Sequence, residues 1–144
     1  MIAPDGLRQQ LKKAGLRVTP QRVAIMQTLC RSKEHPTAAK IYEEIRRQHP
    51  NLAIGTVYYT LDKLVEAGIV TSIGTVGDDQ IHYDGDTTFH SHLACLSCQR
   101  IIDKQTPDLE EVMHKIKSDT GFKVTGSCCV YYGLCPDCQK KTTI

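Results

Sequence analysis

Ile54-Gly55-Thr56-Val57-Tyr58-Tyr59-Thr60-Leu61-Asp62-Lys63-Leu64-Val65-Glu66-Ala67-Gly68-Ile69-Val70-Thr71-Ser72-Ile73 is the stretch in which the period of the chain changes. Up to Ala67, the residues Val57, Leu61, Leu64 and Val65 recur at the spacings that put apolar side chains on one side of a helix, and Gly68 supplies its stop. From Ile69 to Ile73 the run is β-prone and bounded by glycine, which predicts a strand. Gly77-Asp78-Asp79 is a turn, and Gln80 to Asp84 returns as a second strand. A helix that runs straight into a β-hairpin is the closing part of a winged helix-turn-helix, provided that further helices precede it.

They do. Leu7 to Ala14 is a short polar helix with Leu7 and Leu11 at helical spacing, ended by Gly15. Thr19-Pro20 is a start signal, an N-cap followed by proline at the first helical position, and Val23, Ile25, Met26 and Leu29 then give an apolar side. Thr37 caps a third helix in which Ile41, Tyr42 and Ile45 face inward. The third and fourth helices form the pair, and Gly55 to Lys63 would enter the major groove. On that helix Thr56, Tyr58 and Tyr59 are candidate DNA-facing residues, Tyr58 for a base edge or a thymine methyl. Arg17, Arg22 and Lys63 are candidates for phosphate.

The charge supports this division. The 144 residues carry a net charge of only +2, but residues 1–50 hold ten Lys/Arg against four Asp/Glu, and residues 51–144 hold eight against twelve. A basic front joined to an acidic back suits a polyanion-binding unit attached to something else. The composition, 40% hydrophobic and 24% charged, is that of a globular chain. No apolar run approaches the roughly 20 residues of a membrane span, and Met1 to Lys12 lacks a signal-peptide block, so a soluble cytoplasmic protein is expected. No nucleophile–base pair or phosphate-binding glycine loop suggests an enzyme, and nothing suggests a small organic cofactor.

Gly85-Asp86-Thr87-Thr88 reads as a hinge, dividing the chain into residues 1–84 and 89–144. The second part is expected to hold strands at Phe89–Cys95 and Arg100–Lys104. A helix opened by Thr106-Pro107 follows, with Leu109, Val112, Met113 and Ile116 on one face, and then a last strand over Phe122–Leu134. About 55 residues with few aromatics make a marginal core, so a metal, a partner subunit or both are expected to hold it. The fold class is therefore α+β: a winged helix-turn-helix domain and a small α/β domain.

Of the seven cysteines, four can supply ligands for such a metal. Cys95-Leu96-Ser97-Cys98 and Cys135-Pro136-Asp137-Cys138 are two CxxC pairs, each able to fold into a knuckle that aims both sulfurs at one point, as in a closed tetrahedral Zn²⁺ site. A thioredoxin-like redox centre is the other reading, and it needs a CxxC between a strand and a helix. Cys128 and Cys129 read as strand residues and Cys30 as core. His90-Ser91-His92 puts two imidazoles on one face of a strand. If the hairpin turns symmetrically about Leu96–Ser97, His92 falls opposite Ile101–Asp103, which makes Asp103 a neighbour. Asp84 can approach from the hinge side and His35 from the first domain, whereas His82 stands two residues from Asp84 without a clear role. Three nitrogens and two carboxylates suit Fe²⁺ or Mn²⁺ better than zinc, with a position left open.

In order along the chain, Val18-Thr19-Pro20-Gln21-Arg22, His35-Pro36-Thr37-Ala38, Gly55-Thr56-Val57-Tyr58 and His90-Ser91-His92-Leu93-Ala94-Cys95-Leu96-Ser97-Cys98 resemble the Fur family of metal-dependent repressors. The resemblance implies a winged-helix DNA-binding domain, a carboxy-terminal dimerisation domain that makes a homodimer, and repression of operators in double-stranded DNA when a regulatory metal is bound. Within the family the chain looks most like the PerR-type peroxide sensors. His35, Asp84, His90, His92 and Asp103 match their regulatory ligands position by position, whereas iron-sensing members usually carry glutamates at 84 and 103. That likeness implies that bound Fe²⁺ reacts with peroxide and oxidises His35 or His90, and that Mn²⁺ gives a peroxide-insensitive repressor. The alternative within the family is a Fur- or Zur-like repressor of metal-uptake genes without peroxide sensing. Two stretches depart from the pattern: Tyr59-Thr60, where relatives often have arginine or paired asparagines, and Ser127-Cys128-Cys129, where many place histidine for an additional metal site.

Overall fold

A computed structural model of the chain describes residues 4–74, 78–86, 90–124 and 126–141. Four helices come first, α1 (Pro4–Lys13), α2 (Pro20–Arg31), α3 (Ala38–Ile45) and α4 (Ile54–Glu66), followed by the hairpin strands β1 (Thr71–Gly74) and β2 (His82–Asp84). The start signals act as the sequence predicts. Thr19 Oγ1 accepts the Arg22 amide at 3.2 Å, and Thr37 Oγ1 accepts the Lys40 amide at 3.2 Å. Gly68 ends α4 in the left-handed region, φ 74°. Leu11, Ile25, Ile41, Val57, Leu61 and Leu64 are fully buried where the four helices meet, and Val70 and Tyr83 bring the hairpin onto the same core. This is the winged helix-turn-helix. β1 pairs antiparallel with β2, Thr71 opposite Asp84, with an irregularity between Ser72 and Gly74. Gly77 of the expected turn lies outside the described residues, as do Thr87 and Thr88 of the expected hinge and Phe89 of the strand after it.

The second part is a three-stranded sheet in the order β4-β3-β5, with β3 (His90–Cys95) antiparallel to β4 (Ile101–Gln105) and parallel to β5 (Val130–Gly133). A parallel pair needs a crossover, and α5 (Asp108–Thr120) supplies it. The core here is thin: Ala94 and Ile101, with Val130 packed against them.

Two expectations need correction, and two further features add to them. Thr106 does not cap α5. Its hydroxyl is shared with Ser91 Oγ at 2.9 Å and the Lys104 carbonyl at 3.1 Å, so Pro107 takes the cap position without a side-chain bond. The apolar face of α5 is not buried within the chain, and Val112 and Ile116 are exposed. The last strand is Val130–Gly133 rather than Phe122–Leu134. The register sets His92 beside Val130, so residues from Phe122 onward run ahead of the start of β3 and have no strand to pair with. A further helix, α6 (Pro136–Lys141), follows β5. Its signals, proline at the start and Lys140 and Lys141 at the end, are in the sequence.

Candidate metal centres and nucleic-acid interface

The first CxxC fills the turn between β3 and β4. The Cys95 amide donates to the Arg100 carbonyl and the Gln99 amide to the Cys95 carbonyl, both at 2.9 Å, with Gln99 in the left-handed region at φ 64°. The second CxxC joins β5 to α6. Parallel pairing of β3 with β5 brings the two knuckles together, and the four sulfurs of Cys95, Cys98, Cys135 and Cys138 lie within 4.8 Å of one another. Cys98 Sγ and Cys135 Sγ are 3.9 Å apart. A tetrahedron with Zn–S bonds of about 2.3 Å has edges of about 3.8 Å, so the spacing fits a closed thiolate site. The electrostatics fit as well. Backbone amides of Cys135 and Cys98 pull the Cys95 thiol down to about 5, the first from 3.4 Å. A bond with Ser97 favours ionisation of Cys138, but the sulfurs of Cys135, Cys95 and Cys98, together with burial, outweigh it and push the thiol up to about 11. Four sulfurs this close resist sharing their negative charge without a cation. The second pair does stand between a strand and a helix, as a redox centre would, but none of the seven cysteines forms a disulfide and four of them converge.

The second cluster joins the two parts of the chain. His35 precedes α3, Asp84 ends β2, His90 and His92 share one face of β3, and Asp103 faces His92 across β4. Asp84 Oδ2 lies 2.9 Å from His92 Nε2, 3.0 Å from His90 Nε2 and 3.4 Å from His35 Nε2. Asp103 Oδ1 lies 2.8 Å from His35 Nε2, 3.6 Å from His92 Nε2 and 3.7 Å from His90 Nε2. His35, Asp84, His92 and Asp103 form the tightest group, with ligand atoms within 4.8 Å of one another. With bonds of about 2.1 Å, adjacent ligand atoms at right angles sit about 3.0 Å apart, so these distances leave room for one ion at their centre. Nitrogen and carboxylate oxygen without sulfur is the donor set of Fe²⁺ or Mn²⁺. Burial works against the Asp84 charge, but bonds from His35, His92, the Asp86 amide and His90 hold its carboxyl far below the usual range. Burial likewise opposes charge on His92, whereas Asp84, Cys128 and Asp103 push it up to about 10. Without a cation, the carboxylates hold a proton on the His92 imidazole.

His82 lies outside this group. Its Nδ1 is 2.7 Å from the His35 carbonyl oxygen and its Nε2 is 2.7 Å from Asp78 Oδ2. The sequence offered no signal for this contact, because it depends on the backbone conformation of His35, φ 54°. Cys128 and Cys129 line a cavity of about 590 Å³ beside His90 and His92. Cys30 packs against the larger core, and burial pushes its thiol up.

Of the DNA-facing candidates, four gather on one surface. Arg22 Nη1 donates to the Arg17 carbonyl at 3.0 Å, and the Arg22 guanidinium stands 6.0 Å from the centre of the Tyr59 ring. Lys63 Nζ approaches the same ring to 5.7 Å while pairing with Glu66 at 3.3 Å. Tyr58 is exposed on the same helix and Thr56 is half-buried. Among the described residues, no helix is long and apolar enough to cross a membrane.

A model of the ferric uptake regulator family matches residues 13–132. The chain is 40% identical over 133 residues to the peroxide operon regulator of Bacillus subtilis (strain 168), covering 92% of this chain and 91% of that protein. It is 39% identical over 131 residues to the peroxide-responsive repressor PerR of Staphylococcus aureus (strain Mu50 / ATCC 700699), covering 91% and 88%. Among solved structures, the ferric uptake regulator Fur of Helicobacter pylori, described with three functional metal binding sites, superposes with a TM-score of 0.72 at 26% identity, over 96% of this chain and 93% of that one. PerR from Streptococcus pyogenes gives 0.54 at 33% identity, over 96% and 95%. With the helix-turn-helix, the wing, the histidine–aspartate cluster, the first CxxC and most of the sheet inside the matched span, this chain belongs to the ferric uptake regulator family.

Proposed function

We propose that this protein is a metal-dependent transcriptional repressor that binds operator DNA as a homodimer and releases it in response to peroxide. Residues 1–84 bind DNA, 85–88 form the hinge and 89–144 carry dimerisation and metal binding. Cys95, Cys98, Cys135 and Cys138 hold a structural Zn²⁺. His35, Asp84, His90, His92 and Asp103 hold a regulatory Fe²⁺ or Mn²⁺. The observation that carries this reading is the meeting of His35, from the loop before α3, with His90, His92 and Asp103 of the sheet, 2.8 Å from the nearest carboxylate oxygen. Ligands from both parts fix the angle between them across Gly85. In a dimer that angle sets the separation of two recognition helices, which must be about 34–36 Å to read successive major grooves. Moving most of the population between open and closed forms takes about 5.5 kcal/mol of preference for one of them, within reach of five ligands.

Arg17, Arg22 and Lys63 anchor phosphates, and Tyr58, Tyr59 and Thr56 face the groove. The exposed α5 face supplies apolar area for the dimer, since it finds no cover within one chain. Bound Fe²⁺ would supply the one-electron chemistry that reduces peroxide, which Mn²⁺ in the same place would not. His35 and His90 are the residues expected to take up oxygen. Losing either as a ligand frees the hinge.

Two measurements test the reading together. His35→Ala should keep its zinc and fold but lose the gain in operator affinity that Mn²⁺ gives the wild type. Equal metal-dependent affinity in both would overturn the regulatory assignment. Mass spectrometry of the Fe²⁺ form after dilute peroxide should find an added oxygen on His35 or His90. Repression that responds to Fe²⁺ or Zn²⁺ with no oxygen added would instead make the protein a metal-uptake regulator, and oxidation confined to Cys128 or Cys129 would make it a thiol sensor.

A further inference from the structure

His35 is unusual among the clustered ligands in how it is held. A ligating histidine is ordinarily oriented by a hydrogen bond from its second ring nitrogen. The His35 ring is 4% exposed, and its Nδ1, like that of His92, has no hydrogen-bond partner, but His35 differs from the other ligands in its backbone. Its backbone is in the left-handed region at φ 54°, which a residue with a Cβ adopts only where its surroundings impose it. The orientation of this ring is therefore set from the backbone side.

Wing residues hold that backbone. The His82 ring spans from the His35 carbonyl oxygen, 2.7 Å from Nδ1, to Asp78 Oδ2, 2.7 Å from Nε2. Each ring nitrogen faces an oxygen of the neighbouring segment, the carbonyl on one side and the carboxylate on the other. Asp78 is fixed in turn, its Oδ1 accepting the Gln80 amide at 3.2 Å. Next along the chain the Tyr83 amide donates to the Pro36 carbonyl at 3.0 Å, and Thr37 bridges His82. The turn that aims His35 at Asp103 is thus fastened to β2 and, through His82, to Asp78 between the two wing strands.

We propose that Asp78 and His82 are positioning residues for the regulatory metal site, clamping the His35 backbone in its left-handed turn and making the wing and the metal site one mechanical unit. This rests on the assignment of His35 as a ligand. Coupling of this kind is reciprocal: disturbing the wing weakens metal binding, and loading the metal tightens the wing.

The test uses full-length, zinc-containing protein and Mn²⁺ as the probe. His82→Ala should lose about tenfold in Mn²⁺ affinity with its zinc content unchanged. His82→Asn, whose side-chain amide can still donate to the His35 carbonyl, should recover most of that loss, a rescue that a merely space-filling role would not give. Affinity indistinguishable from wild type in His82→Ala, or no recovery in His82→Asn, overturns the proposal. If His82→Ala does not fold, Asp78→Asn decides, with weaker Mn²⁺ binding expected and unchanged binding overturning. If wild-type protein binds no Mn²⁺, the regulatory-site reading fails by itself. The clamp is then judged in metal-free protein by hydrogen exchange at the Tyr83 amide, which should be faster in His82→Ala or Asp78→Asn than in wild type and would overturn the clamp if equal.

Discussion

Asp84 and His92 show why the regulatory cluster is built to receive a cation. With three imidazole nitrogens within 3.4 Å of its Oδ2, Asp84 stays ionised far below the ordinary carboxylate range, and its charge holds a proton on His92 up to about 10. The signs of these two effects differ. Asp84 is depressed, so the stability it contributes to metal-free protein is present above about pH 3.8 and is lost as the pH falls through its lowered value. His92 is raised, so its contribution is full below about pH 6.5 and is lost as the pH rises through about 10. Between these limits the metal-free site holds a proton that an incoming ion must displace, because a ligating imidazole is neutral. Mn²⁺ loading at pH 7 is expected to release about one proton from this pair. Calorimetry in buffers of different ionisation enthalpy checks it, and a heat of binding that does not change with buffer would contradict it.

Local signals made the helices and the wing legible in the sequence, and non-local ones hid the rest. Thr19-Pro20 and Thr37 act as caps because an N-cap needs only its own next turn, and Gly68 stops α4 for the same reason. Thr106-Pro107 has the same letters but fails as a cap, since Ser91 on the adjacent strand takes part of its hydroxyl. A symmetric hairpin puts His92 opposite Ile101–Asp103, and the register sets it opposite Asp103. The meeting of His35 with that pair depends instead on a left-handed turn and on packing between distant segments, so the resemblance supplied what periodicity could not. His82 and Asp78 were missed for that reason: their partner is a carbonyl oxygen, which every residue has. The contrast between the two threonines can be measured. Thr19→Ala should cost about 1 kcal/mol of stability. Thr106→Ala should leave the helicity of α5 unchanged. Urea titrations followed by circular dichroism would show both.

Across the whole molecule, stability is unevenly shared, and this bears on what the zinc does. The larger core joins the four helices and the hairpin around residues such as Leu11, Ile41 and Leu61, whereas the hydrophobic cluster of the sheet is Ala94 and Ile101 with Val130 beside them. At about 25 cal/mol per Å² of apolar area, so few buried side chains cannot offset the ordering of some 50 residues. Two knuckles from opposite ends of this segment meeting at four sulfurs supply what the apolar contacts lack, because Zn²⁺ binding to such sites contributes on the order of 10 kcal/mol. The exposed face of α5 is the surface through which the proposed homodimer would supply the remainder. The two halves should therefore respond differently when the metal is stripped under reducing conditions with a strong chelator. The sheet and the dimer should be lost together, while α1–α4 keep their packing. Hydrogen exchange read by mass spectrometry would then show protection surviving at Ile25, Ile41 and Leu61 and vanishing at Ala94 and Val130. Simultaneous loss at both sets would mean that the amino-terminal core depends on the zinc as well, and that the two halves fold as one unit.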